Sequence, residues 1–295
     1  MTYTVRANDT FKIWWDSLVL IIAIFNSITI PMELSFNEYR DLFDQYYYTE
    51  INTVCTGVFI LDIFLNMNTT YYDSDGDEIY SKKNIILNYM KGMFVIDTLS
   101  SIPIDKGPWK IINILKIVRV FKLPGIINKM NVDEESKSIL RMGFLVFELV
   151  ICLHLIGCFW NMIVSSNDYW IPPLDFVWTG KYPYLYRFYG EDLHYRYLVH
   201  YYNAVLFLGG NEMGPRTNQE IIICTLILVA MAIFNASLFG DMAVLTEMSG
   251  RKQTLFQEQI DIANTAMKQL DLPNMLQDRI REFLIFTQGT KQEQK

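Results

Sequence analysis

The chain of 295 residues is 51% hydrophobic and 15% aromatic, with a mean hydropathy of +0.16, more apolar than a soluble domain of this length, so a membrane protein is the first candidate. Its formal net charge of -7, with lysines scattered rather than gathered on one face, excludes a nucleic-acid partner. Cys55, Cys152, Cys158 and Cys224 lie in apolar stretches without CxxC spacing, which excludes a disulfide framework and a zinc site and leaves buried thiols used as small hydrophobes.

Residues 1–12 are polar, and the apolar run behind them is too long for the h-region of a signal peptide, so they read as a short cytoplasmic N-terminus. A spanning helix needs about 20 mainly apolar residues. Ile13–Met32 and Ile51–Asn68 meet or approach that, as do Ile139–Val164 and Ile221–Met248 further on. Two weaker segments lie between these pairs: Met90–Asp105, short and spotted with polar residues, and Trp109–Met130, with a cation at every third position. The expectation is an all-α membrane protein with six transmembrane helices. Tyr197–Gly210, only about 14 residues, fits a re-entrant helix better than a span. From Arg251 the chain turns charged and amphipathic with an interruption at Pro273, which predicts two helices outside the membrane.

With the N-terminus cytoplasmic, that side collects Arg6, Lys12, Lys82, Lys83, Lys91, Arg251 and Lys252, against Arg40, Lys106, Lys181 and Arg187 opposite. The loop Asp73–Glu78 lacks the spacing and closing glutamate of a calcium loop and is expected to be a solvated turn. No phosphate loop, nucleophile elbow or metal cluster is present, so neither an enzyme nor a cofactor is expected.

Charges inside a bilayer are costly and therefore functional suspects. Lys116, Arg119 and Lys122 recur at a spacing of three, which aligns them along one stripe of a helix, and Pro124 with Gly125 is expected to break or kink it. Their expected partners are Asp62 in "FILDIFLN" and Asp97 in "FVIDTLSS", with Asp16 a third. His154 reads as a packed histidine, since no second ligand accompanies it.

These residues sit in strings that resemble one family: Trp15, Asn26 and Pro31 in the first helix, "FILDIFLNMNTTYY" in the second, "NYMKGMFVIDTLSSIPID" in the third, "LKIVRVFKL" in the fourth, "HLIGCFW" in the fifth and "SLFGDM" in the sixth, with "LPNMLQDRI" in the tail. In order and spacing they resemble the voltage-gated channel superfamily, in the branch of ether-à-go-go potassium channels, hyperpolarization-activated channels and cyclic-nucleotide-gated cation channels. The resemblance implies a voltage-sensor-like domain over 13–130, a pore domain over 131–248 and C-linker helices over 249–295. It implies a homotetramer or hetero-tetramer in a lipid bilayer that passes monovalent cations, potassium and sodium. Leu208, Gly209, Gly210, Asn211 and Glu212 then fall at the selectivity filter, and Asn235 and Phe239 at the inner gate. No nucleotide-binding segment follows the C-linker within these residues.

The chain departs from the family's pattern in informative places. A potassium filter of this branch reads Gly, aromatic, Gly, with a threonine three residues upstream; here Gly209 precedes Gly210 and Asn211, and Leu206 takes the threonine position. Weak selectivity is the expectation, with a ring of Glu212 carboxylates choosing by sign of charge. Thr56 replaces a second expected acid, and three cations promise weak voltage dependence. A non-conducting regulatory subunit and a structural membrane component of a larger assembly stay open as other classes.

Overall fold

The computed structural model describes residues 4–36, 38–39, 45–73, 76–102, 108–130, 132–165, 170, 188–211 and 213–293, and these are mostly helical. In chain order they form α1 (Thr10–Ser35), α2 (Gln45–Asn66), a hairpin of β1 (Tyr71–Tyr72) and β2 (Glu78–Ile79), α3 (Lys82–Lys91) and α4 (Phe94–Ser100). A 3-10 helix (Pro108–Lys122) leads into α5 (Leu123–Lys129). There follow α6 (Glu134–Val164), a 3-10 turn (Phe188–Gly190), α7 (Leu193–Leu208), α8 (Asn218–Gln269) and α9 (Asn274–Glu293).

Among the described residues, three helical stretches are long and apolar enough to cross a membrane: Thr10–Ser35, Ser136–Val164 and Asn218–Glu247, with mean hydropathies of 1.9, 2.2 and 2.5. The other expected spans differ for physical reasons. α2 has 22 residues, but Asn52, Thr56, Asp62 and Asn66 along one face lower its hydropathy. Met90–Asp105 is not one helix: Gly92 caps α3, its amide donating to the Asn88 and Tyr89 carbonyls, and α4 starts afresh at Phe94. Residues 103–105 of that segment lie outside the described residues.

The fourth segment winds as a 3-10 helix, whose three residues per turn stack positions 116, 119 and 122 directly along the axis. Pro124 then occupies the first turn of α5, where its missing N–H is no loss, so it starts a helix instead of breaking one. The sixth segment does not end at Met248 but continues to Gln269 as one helix of 52 residues. A change of polarity without a proline does not stop helical hydrogen bonding. The stop comes where Pro273 was expected to impose it, with Asp271 at φ 49. α8 begins at a capping box: Thr217 Oγ1 accepts from the Glu220 amide at 3.3 Å, and the buried Glu220 carboxylate accepts from the Thr217 amide at 3.3 Å.

The chain divides into two compact units, Met1–Met130 with Val146–Asn235, and Asn131–Leu145 with Ala236–Lys295. In the first, α1 is fastened to α6 and α7. His154 bridges the Ile28 carbonyl (3.1 Å) and the Tyr197 hydroxyl (2.9 Å), which makes it the packed residue the sequence suggested. Asn161 donates to the Ser35 carbonyl at 2.7 Å, and Arg196 pairs with Glu38 at 2.6 Å. Gly157 lets α6 and α7 touch, since a Cβ there would meet the His200 backbone at 3.3 Å. Trp160, Trp170, Phe188, Phe207 and Met213 pack the interior behind this contact. In the second unit Ser138 donates to the Leu245 carbonyl at 3.3 Å, and Arg281 on α9 reaches Asn264 on α8 at 2.8 Å.

Candidate functional site

The face of α2 that carries Asn52, Thr56, Phe59, Asp62 and Asn66 follows helical spacing, and the 3-10 helix lays its cations along it rung by rung. Lys116 Nζ reaches Asn52 Oδ1 at 3.1 Å and Thr56 Oγ1 at 3.4 Å, so a hydroxyl stands where the second acid was expected. The Arg119 guanidinium sits 3.8 Å from the centre of the Phe59 ring. It donates through Nε to Asp97 at 3.2 Å, and through Nη2 to the Asp97 carbonyl and the Ser101 hydroxyl, both at 3.0 Å. Lys122 Nζ lies between the two acids, 3.4 Å from Asp62 and 3.2 Å from Asp97. Arg119, Lys122, Asp62 and Asp97 are thus brought into one cluster, while Lys116 reaches Asn52 and Thr56 further along α2. Lys116, Arg119, Asp62 and Asp97 are buried, while the Lys122 side chain stays 28% exposed.

The cluster has further members whose partners the sequence does not indicate. The sequence groups Lys12 with the cytoplasmic cations, yet it is buried, with Asp16 at 2.5 Å, Asn66 at 2.9 Å and Asp62 at 3.9 Å. Trp15 Nε1 donates to Asp62 at 3.1 Å, Asn66 donates to Asp62 at 3.0 Å, and Tyr89 OH donates to Asp97 at 2.8 Å. The i,i+4 pair Lys12–Asp16 was the available signal for the first. A cavity of about 510 Å3 opens beside the cluster, lined among others by Lys12, Asp62, Asn66, Thr70, Tyr89 and Lys122.

The N-terminal segment borders this cavity. Val5 pairs in parallel with Thr69: its amide donates to the Asn68 carbonyl, and its carbonyl accepts from the Thr70 amide, both at 2.9 Å. Glu78, expected in a solvated turn, is instead the hub of this clamp. It accepts from Thr70 at 2.6 Å, Tyr80 at 2.5 Å and Arg6 at 3.3 Å. The Thr70 hydroxyl first, then Tyr80, then Arg6, hold its carboxyl below the ordinary value of 4.5. A depressed folded value contributes stability that is present above 4.5 and lost as pH falls through the folded value. Amide exchange at Val5 and Thr70 is therefore expected to accelerate, beyond the intrinsic trend, as pH drops from roughly 5 to 3. Glu78→Gln should remove that dependence.

The second candidate region begins where α7 ends. Gly210 takes φ 78, and the amides of Gly209 and Asn211 both turn back to the Leu206 carbonyl at 3.0 Å, while that of Gly210 goes to Phe207 at 3.0 Å. The helix thus runs through Leu208, so among the described residues of the stretch only Gly209, Gly210 and Asn211 form the loop. Glu212 lies outside the described residues. Asn235, grouped with an inner gate by the sequence, donates its amide to the Leu208 carbonyl at 3.1 Å, which sets it against the loop. Phe239 is 68% exposed on α8. On the far side of the loop the Trp170 indole donates to the Met213 carbonyl at 2.9 Å.

The family model described as Ion transport protein matches residues 12–208. The chain is 22% identical, over 94% of its length and 31% of the relative's, to the voltage-gated delayed rectifier potassium channel KCNH1 of Rattus norvegicus. It is 22% identical to the potassium voltage-gated channel protein eag of Drosophila melanogaster, over 94% of this chain and 26% of the relative. It is 24% identical to the voltage-gated inwardly rectifying potassium channel KCNH2 of Cavia porcellus, over 95% of this chain and 23% of the relative. The chain therefore spans about a third or less of the curated relatives it matches.

Proposed function

The chain belongs to the ion transport protein family, within the voltage-gated channel superfamily, and on that premise we propose that it is one subunit of a tetrameric, voltage-sensitive channel for monovalent cations. The observation that carries the reading is the ladder: three cations stacked on a 3-10 helix, the middle one over Phe59 and flanked by Asp97. Moving one charge across the membrane field is worth about 2.3 kcal/mol per 100 mV, so three charges in each of four subunits bias a gate. The short ladder supports a shallow voltage dependence. Four chains are needed because one loop after α7 lines only part of an axial path. The exposed ring of Phe239 suits a hydrophobic constriction that closes by dewetting. Lys82, Lys83 and Lys91 favour the side that holds the hairpin and α3 as cytoplasmic.

The few loop residues beyond Leu208 support weak discrimination between sodium and potassium, whereas the relatives carry potassium channel names. The test is the full chain reconstituted in planar bilayers, with voltage steps of both signs. Currents that change with voltage, and whose voltage dependence flattens in Arg119→Gln, are expected. A wild type that passes no cation would identify a non-conducting subunit instead.

A further inference from the structure

We propose that the loop residues Gly209, Gly210 and Asn211 owe their shape, and through that their choice among cations, to two side chains that grip carbonyls before and after them: Trp170 on Met213 and Asn235 on Leu208. The proposal rests on reading that loop as the ion path. Two adjacent glycines make a soft backbone, because neither carries a side chain that limits φ or packs against a neighbour. Gly210 has φ 78, and nothing lies within 4 Å of where its Cβ would stand, so no local packing braces the turn. The three loop amides bond back to the Leu206 and Phe207 carbonyls, and the carbonyls at the two ends need anchors of their own.

At the first end the Asn235 amide fixes the carbonyl of Leu208, the last residue of α7, at 3.1 Å. At the second end the Trp170 indole fixes the carbonyl of Met213 at 2.9 Å, and both residues are fully buried. Trp170 is itself immobilised. Its own carbonyl accepts from the Tyr189 hydroxyl at 2.9 Å, and its ring stacks on His200 with centroids 5.2 Å apart and planes 24° apart. The rings of Trp160 and Phe188 meet it edge-on at 5.7 and 6.0 Å. His200, whose ring nitrogens have no hydrogen-bond partner among the described residues, thus acts as an aromatic plate on α7 that seats the indole. A donor held this firmly transmits the position of the helix core to the loop backbone. Trp170 and Asn235 are positioning residues; neither need touch the ion.

The test uses the full chain in lipid nanodiscs and in bilayers. Trp170→Phe removes the donor and keeps a ring on His200, and Asn235→Leu removes the other donor at similar size. Amide exchange of residues 209–214 should rise about fivefold to tenfold in each variant, the factor one buried hydrogen bond is worth, with residues 193–205 unchanged. The sodium-to-potassium permeability ratio should shift in both. Ser138→Ala, which deletes a buried donor in the second unit, should move neither quantity. Unchanged loop exchange in both donor variants overturns the clamp; altered exchange with an unchanged permeability ratio overturns its role in selection. A wild type without flux overturns the channel reading, and exchange then still decides the clamp.

Discussion

Asp97→Asn is expected to cost the first unit about 3–5 kcal/mol, enough to lower its unfolding temperature by many degrees or to prevent folding. The carboxylate is 1% exposed and answers to three donors at once, Arg119 at 3.2 Å, Lys122 at 3.2 Å and the Tyr89 hydroxyl at 2.8 Å. Neutralising it leaves a guanidinium stacked on Phe59 and nearly inaccessible without its counter-ion. Lys122→Met should be far milder, since its side chain is 28% exposed and its removal leaves Asp97 still paired with Arg119. The order of losses distinguishes a buried charge hub from a snorkelling stripe, in which both changes would be small. Thermal unfolding in nanodiscs gives that order. The exchanged pair, Asp97→Arg with Arg119→Asp, should recover part of the loss, and strictly additive single-site effects would refute the pairing.

What the sequence reveals of this cluster depends on spacing and charge. The cations at 116, 119 and 122 and the isolated acids at 62 and 97 are legible because intramembrane charges are rare and need partners. A spacing of three, however, is compatible with one stripe on either helix type, so the 3-10 winding and the role of Pro124 as a helix start were not decided by it. Lys12 looks like any cation near a membrane surface until α2 is set beside α1, because its burial is created by Asp62 and Asn66, fifty or more positions away. Tyr89, Ser101 and Trp170 are missed for the same reason: a hydroxyl or an indole carries no charge signal, and its partner is fixed only by tertiary packing. Gly209 and Gly210 mark a turn unambiguously, yet the pattern does not say that α7 continues to Leu208, since Leu206–Leu208 suit a helix or an extended filter equally.

That last point decides the second prediction, nearly equal permeability to sodium and potassium. A potassium filter strips an ion by presenting successive rings of backbone carbonyls. In this chain the carbonyl of Leu206 accepts from Gly209 and Asn211, that of Phe207 from Gly210, and that of Leu208 from Asn235. Three consecutive carbonyls are thus spent on ending α7 and anchoring the loop. Among the described residues between the helix and Met213, only those of Gly209, Gly210 and Asn211 remain for ions. Leu206 offers no hydroxyl for a further ring. An ion passing so few ligands keeps much of its water, and hydrated sodium and potassium differ too little for a soft loop to separate them strongly. Selection by sign of charge is then expected of Glu212, since a ring of four such carboxylates in a tetramer would concentrate cations and repel anions. Bi-ionic reversal potentials should give a sodium-to-potassium permeability ratio within a few-fold of unity and exclude chloride, and block by divalent cations should weaken in Glu212→Gln. A potassium preference of roughly a hundredfold, about 2.7 kcal/mol, would mean that α7 unwinds in the assembled channel to release the carbonyls of Leu206–Leu208. The chain would then filter as the names of its potassium channel relatives imply.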